Sequence, residues 1–140
     1  MTSVTLDVGP HLAKETFLVS DLMDASLYLV YRVNRTDQRL RLIYIGRARD
    51  AAADIAAGSQ LYQEMVRWAY GDENQLRFSV VRYVGPVDVD LIRRTLACVL
   101  RPVLNGDPAP IYAGDSLLIA FEGRAVCGRE SILAKGAGCP

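Results

Sequence analysis

The clearest pattern in the chain is a pair of strand-like runs separated by a polar turn. Residues 27–34, LYLVYRVN, are dense in β-branched and aromatic side chains, and residues 39–46, RLRLIYIG, alternate basic with apolar positions before turning continuously apolar. Arg35-Thr36-Asp37-Gln38 between them is polar throughout, so the spacing predicts a β-hairpin. A third strand is expected over 76–84, LRFSVVRYV, ended by Gly85-Pro86. Two helical stripes accompany these strands. Ser59 is placed to cap a helix whose apolar face is Leu61, Met65 and Trp68, joined by Tyr62, Val66 and Ala69 and ending at Gly71. Asp88 is placed to cap another, with Leu91, Ile92, Thr95, Leu96, Val99 and Leu100 on one face and Pro102 at its end.

The other segments are less regular. Asp50 precedes the run AAADIAA, which predicts a short helix stopped by Gly58. Residues 1–25 contain the breaker Gly9-Pro10, with Ser20-Asp21 as a cap for a short turn of helix, and read as a lead-in that adds an edge strand or a cover. After the turn-rich GDPAP segment at 106–110, SLLIAFEG at 116–123 predicts an extra strand, and 136–140 reads as a loose tail. With 140 residues and 51% apolar content, the chain holds one core rather than two. The expected fold class is α/β: a single domain over 1–140, with a small sheet of about three core strands flanked by helices and an extra C-terminal strand.

Charge narrows the partners. Lys and Arg together number 16, as do Asp and Glu, so no global basic field draws the chain to nucleic acid and any such contact needs a local patch. The arginines at 32, 35, 39, 41, 47 and 49 do concentrate along the hairpin, as phosphate contacts or as a solvated strand face. Cys98, Cys127 and Cys139 are odd in number and lack metal-ligand spacing, which suggests neither a disulfide framework nor zinc and fits a reducing cytoplasm. No basic flank leads into an apolar run near Met1, and no run is long enough to span a bilayer, so a cytoplasmic, unexported protein is expected. Phosphate-loop, nucleophile-elbow and H-E-x-x-H motifs are absent from the sequence.

Tyr44-Ile45-Gly46 closes the second run, Tyr28 and Tyr31 lie on the first, and the last predicted helix leads into Arg101-Pro102-Val103-Leu104-Asn105. This ordered set resembles the GIY-YIG nuclease superfamily over roughly residues 26–105, which leaves 1–25 as lead-in and 106–140 as an extension. The resemblance implies a small sheet with helices, in which two hairpin tyrosines, an arginine, a metal-bound glutamate and an asparagine surround a scissile phosphate. It implies Tyr28, Tyr44, Arg67 and Asn105 as catalytic residues, with Tyr31, Gly46, Arg47, Arg49 and Arg93 as substrate contacts. Ser26-Leu27-Tyr28 reads as the first half-motif, with Leu29-Val30-Tyr31 as an alternative register. Tyr28 and Tyr31 are an odd number of strand positions apart and face opposite sides of a sheet, so only one shares a face with Tyr44; Tyr28 is preferred.

Two positions depart from the family. About eight residues after Gly46, where the resemblance calls for an arginine, stands Asp54; Arg47, Arg49 and Arg67 are the available substitutes. About twelve residues before Asn105, where it calls for the glutamate, stands Arg93, whose guanidinium cannot bind Mg²⁺. Asp90, one turn earlier, is the candidate metal ligand, or else an ion-pair partner of Arg93 or Arg94. Mg²⁺ is expected only if the protein is an active nuclease. His11 reads as a surface or satisfied histidine, Cys98 as packing, and Cys127 as the less crowded thiol. Three functions follow: a divergent GIY-YIG protein that contacts nucleic acid and cleaves phosphodiesters if metal is held; a metal-independent small-molecule pocket with the tyrosines as acid/base groups and Arg93 or Arg94 as anion clamp; or a non-catalytic module that binds a protein.

Overall fold

The computed structural model describes residues 1–106 and 116–134. Six strands form one sheet: β1 Thr2–Val8, β2 Leu27–Val33, β3 Leu40–Arg47, β4 Leu76–Arg82, β5 Leu117–Glu122 and β6 Ser131–Ala134. They lie side by side in the order β3-β2-β4-β1-β5-β6, and only β1 and β5 run parallel. Four helices accompany them: α1 Lys14–Leu18, α2 Ala51–Asp54, α3 Gln60–Trp68 and α4 Val89–Leu100. The architecture is mixed α/β.

The hairpin, the strand after α3 and the strand in SLLIAFEG fall where the sequence pattern puts them. The lead-in does not. Its first strand is neither an edge nor a cover but sits between β4 and β5, where Val4, Leu6 and Val8 are buried while the residues between them face outwards. That two-residue alternation in TSVTLDV is the signature of a strand packed on one face, and it lies within the segment read above as an edge strand or a cover. Ser20 caps nothing: α1 precedes it, and its hydroxyl donates to the Phe17 carbonyl at 2.6 Å. Gly106 ends the described part of the GDPAP turn; the rest of that turn and the tail lie outside the described residues.

Apolar side chains cover both faces of the sheet. On one, Leu27, Leu29, Tyr31, Leu42 and Ile45 pack with Ile92 and Leu96 of α4. On the other, Tyr28, Val30, Ile43 and Phe78 pack with Phe17 of α1, Ala51 of α2 and Met65 of α3. Burial on both sides explains why β2 is continuously buried and rich in apolar side chains from Leu27 to Tyr31 rather than alternating. Ser59 and Asp88 cap α3 and α4 as expected, accepting from the backbone N–H groups of Tyr62 at 3.3 Å and Asp90 at 3.0 Å. Asp50 makes no cap bond, and its helix is a single turn after a 3-10 turn over 48–50. Ala97 and Cys98 of α4 are also buried. Cys127 is exposed and free, and Cys139 lies outside the described residues. Among the described residues no helix is long and apolar enough to cross a membrane.

One irregularity positions everything that follows. From the turn, β2 and β3 pair as Val33 with Leu40, Arg32 with Arg41 and Tyr31 with Leu42, but Val30 then pairs with Tyr44. Ile43 is the extra residue of a bulge, and every β3 side chain beyond it is moved to the opposite face from the one an unbroken register would give.

Candidate functional site

Because of that bulge, Tyr44 faces the same side of the sheet as Tyr28. An unbroken hairpin would have set Tyr44 opposite Leu29, on the face of Tyr31. Tyr28 pairs across the strands with Gly46, and the two rings approach to 5.9 Å between centroids. Gly46 makes room for them: a Cβ at this position would lie 2.4 Å from the Tyr28 ring and 2.7 Å from the Tyr44 ring. Tyr31 lies on the far face, edge-on to His11 at 4.8 Å, and its buried hydroxyl has no hydrogen-bond partner among the described residues. It is not part of this constellation.

Tyr28 is completely buried and donates its phenol proton to the Asp54 carboxylate at 2.6 Å. Burial first, and then the bond and charge of Asp54, push its pKa far above the ordinary tyrosine value. A phenol so placed stays protonated and committed, which suits positioning and not proton transfer to a ligand. Asp54, read from the sequence as a mismatch, is therefore the partner that fixes Tyr28. Asn105 is likewise a brace. Its side-chain amide accepts from the Ile45 backbone N–H at 2.9 Å and donates to the Ile45 carbonyl at 2.8 Å, standing in for a neighbouring strand on the open edge of β3.

Tyr44 is only half buried, and it lines a cleft of about 650 Å³ with Arg47, Arg49, Asp50, Asp88, Asp90 and Arg93. The cleft forms where the chain leaves β3 and meets the first turns of α4. Burial raises the Tyr44 pKa, the Asp54 and Asp50 charges add to this and Arg93 opposes it, so the phenol is a neutral donor and acceptor at the cleft wall.

Asp90 does not fit a metal-ligand role. One of its oxygens accepts from Arg93 Nε and Nη2 at 3.1 and 2.9 Å, the other lies 3.2 Å from Arg94, and Arg47 stands 4.0 Å away. The Arg93 bond leads the effects that hold its carboxyl below the usual range. Three guanidinium groups around one carboxylate leave a divalent cation facing like charge. Among the described residues, no group of three or more His, Cys, Asp or Glu is arranged to hold a metal ion.

Of the residues singled out above, the fold brings Tyr44, Arg47, Arg49, Arg93 and Asp90 to one cleft, with Tyr28, Gly46 and Asn105 supporting its Tyr44 wall. Arg67 is elsewhere: it sits on α3 with its side chain 75% exposed and pairs with Glu64 at 3.0 Å. Helix α3 packs on the other side of the sheet from α4, so Arg67 does not supply the missing cation. Asp50 and Asp88 were read only as helix caps, and nothing in their local sequence marks them as cleft residues. Comparisons with protein-family models, with curated proteins and with solved structures found no match for this chain.

Proposed function

We propose that this chain is a divergent, GIY-YIG-like protein whose Tyr44 cleft holds a phosphate group of a nucleic acid through Arg47, Arg49 and Arg93, without a metal step. The observation that supports this best is the state of the charged groups in the cleft. Asp88 caps α4, Asp90 is shared by Arg93, Arg94 and Arg47, and Asp50 is the remaining acid of the lining, while Arg47 keeps a buried Nε with no hydrogen-bond partner among the described residues and Arg49 faces the same space with no ion pair among them. Guanidinium forks match phosphate oxygens, and the neutral Tyr44 phenol adds a donor beside them.

The test is affinity for duplex DNA as a function of salt. Binding is expected at low salt and falls as salt rises; Arg49→Gln and Arg93→Gln each flatten the slope by roughly one unit. A second reading, a metal-independent pocket for a small phosphorylated molecule, is favoured by the cleft volume, which falls within the usual range for small-molecule sites. Saturable binding of inorganic phosphate with no DNA affinity at low salt would select it and overturn the first.

A further inference from the structure

We infer that a second surface, at the turn end of the β2–β3 hairpin, binds the phosphate backbone of a single nucleic-acid strand. Arg32 and Arg41 are directly opposite one another in the β2–β3 register and therefore share a face. Like charges in that position destabilise a sheet, and neither has a carboxylate partner among the described residues. Departures from local consistency of this kind collect at functional sites.

The cations are held apart by rings instead. The Arg41 guanidinium lies 5.3 Å from the centre of the Trp68 ring; Arg32 is 5.8 Å from the same ring and 5.0 Å from Tyr70; Arg35 is 4.3 Å from Tyr70. The result is a row of three guanidinium groups spaced by two aromatic rings. Tyr70 holds its place at φ +61°, in the left-handed region that non-glycine residues rarely enter, at the exit of α3. Arg39, exposed in the same turn, adds a fourth cation with no carboxylate partner among the described residues. Of the acids on the same segments, Glu64 pairs with Arg67, Glu73 accepts from the Tyr62 hydroxyl, and Asp37 and Asp72 accept from backbone N–H groups of their own turns; among the described residues none is ion-paired with these arginines.

Arg32 donates to the Asn34 side-chain oxygen at 3.0 Å and to the Trp68 carbonyl at 3.1 Å, and Arg35 to the Tyr70 carbonyl at 3.4 Å, which fixes the row; a single strand matches it because its phosphates meet the remaining guanidinium N–H groups while its bases stack on the exposed Arg35 and Arg41. The inference does not rest on the cleft reading, since the two surfaces share no residue.

Trp68 is the only tryptophan in the chain, so its emission reports on this surface directly. Titration with a single-stranded oligothymidylate at low salt is expected to change that emission saturably, with affinity falling as salt rises. Arg35→Gln and Arg41→Gln should each reduce the salt slope by about 0.7 and weaken binding severalfold, while Arg129→Gln, at an exposed arginine of neither surface, leaves the Trp68 titration unchanged. Arg35 and Arg41 are exposed, and thermal melts establish that the variants fold; Arg39→Gln provides a further exposed variant with the same expected direction. Oligothymidylate that leaves Trp68 emission unaltered, or that binds all three variants like the parent, overturns the inference. So does polyglutamate or an anionic vesicle that titrates Trp68 as tightly at equal charge. Binding lost only in cleft variants removes this surface and leaves the cleft; binding lost only in Arg35 and Arg41 variants supports this surface and counts against the cleft.

Discussion

Gly46 is where a single methyl group does most damage to the cleft. The Tyr28 ring on one side is buried and tied to Asp54, so it has nowhere to swing, and the displacement falls on Tyr44. Gly46→Ala is expected to destabilise the fold by about 1–3 kcal/mol, the range for forcing an extra carbon into a packed site, with a lower urea midpoint. It should also weaken whatever the cleft binds, because Tyr44 moves. A loss within about 0.5 kcal/mol would mean that both rings yield freely and that the glycine is not required. Asp54 shows the limits of residue identity at this scale: its negative charge looks hostile to a phosphate site, yet its carboxylate faces a buried phenol and the cleft takes its cations from Arg47, Arg49 and Arg93.

At the level of elements, the site depends on how the free edge of β3 is closed. The short 3-10 turn over 103–105 brings the Asn105 amide against both backbone groups of Ile45, which fixes the strand next to Tyr44 and Gly46. Asn105→Ala removes two hydrogen bonds and should cost about 1–3 kcal/mol, with the Ile45 amide exchanging its hydrogen faster than in the parent. Asn105→Asp keeps the acceptor for the Ile45 N–H but sets a carboxylate against the Ile45 carbonyl; its defect should shrink as pH falls and the acid protonates. Equal exchange of the Ile45 amide in parent and alanine variant would show that the strand edge holds without the amide. The asparagine was legible from its place after the last helix, but the identity of its partner was not, since Ile45 lies sixty residues away and is reached only through the sheet.

For the molecule as a whole, the phenols buried on both faces of the sheet set the alkaline limit of stability. Burial is the largest cause raising the pKa of Tyr28, Tyr31 and Tyr44. A tyrosine that keeps its proton when folded but ionises near pH 10 when unfolded stabilises the fold fully below that pH. The contribution is lost progressively as pH climbs from there towards the folded value, by about 1.4 kcal/mol per pH unit for each such group. Urea melts above about pH 10 should therefore show a steep fall in unfolding free energy. Tyr31→Phe should flatten that fall with little loss at neutral pH, because the Tyr31 hydroxyl has no hydrogen-bond partner among the described residues to forfeit. An alkaline slope unchanged by this variant would mean that Tyr31 ionises equally in both states.

The sequence by itself determined the elements whose signals are local. The hairpin, the caps at Ser59 and Asp88, and the apolar stripes of α3 and α4 follow from side-chain periodicity and from short polar residues placed before it. It also placed Tyr28, Tyr44, Gly46 and Asn105 in an order that suggested one site. Tertiary structure decided the rest. Strand β1 became central because β4 on one side and β5 on the other offer it backbone hydrogen-bonding partners, a long-range pairing that no local pattern encodes. Arg67 and Arg93 are both helical arginines, and only the packing of α3 and α4 against opposite faces separates them, sending one to solvent and one to the cleft. The choice between Tyr28 and Tyr31 was made by the bulge at Ile43, where one extra residue in the ladder turned Tyr44 to the face of Tyr28; side-chain alternation is legible in a sequence, but a register shift exists only in the pairing of two strands.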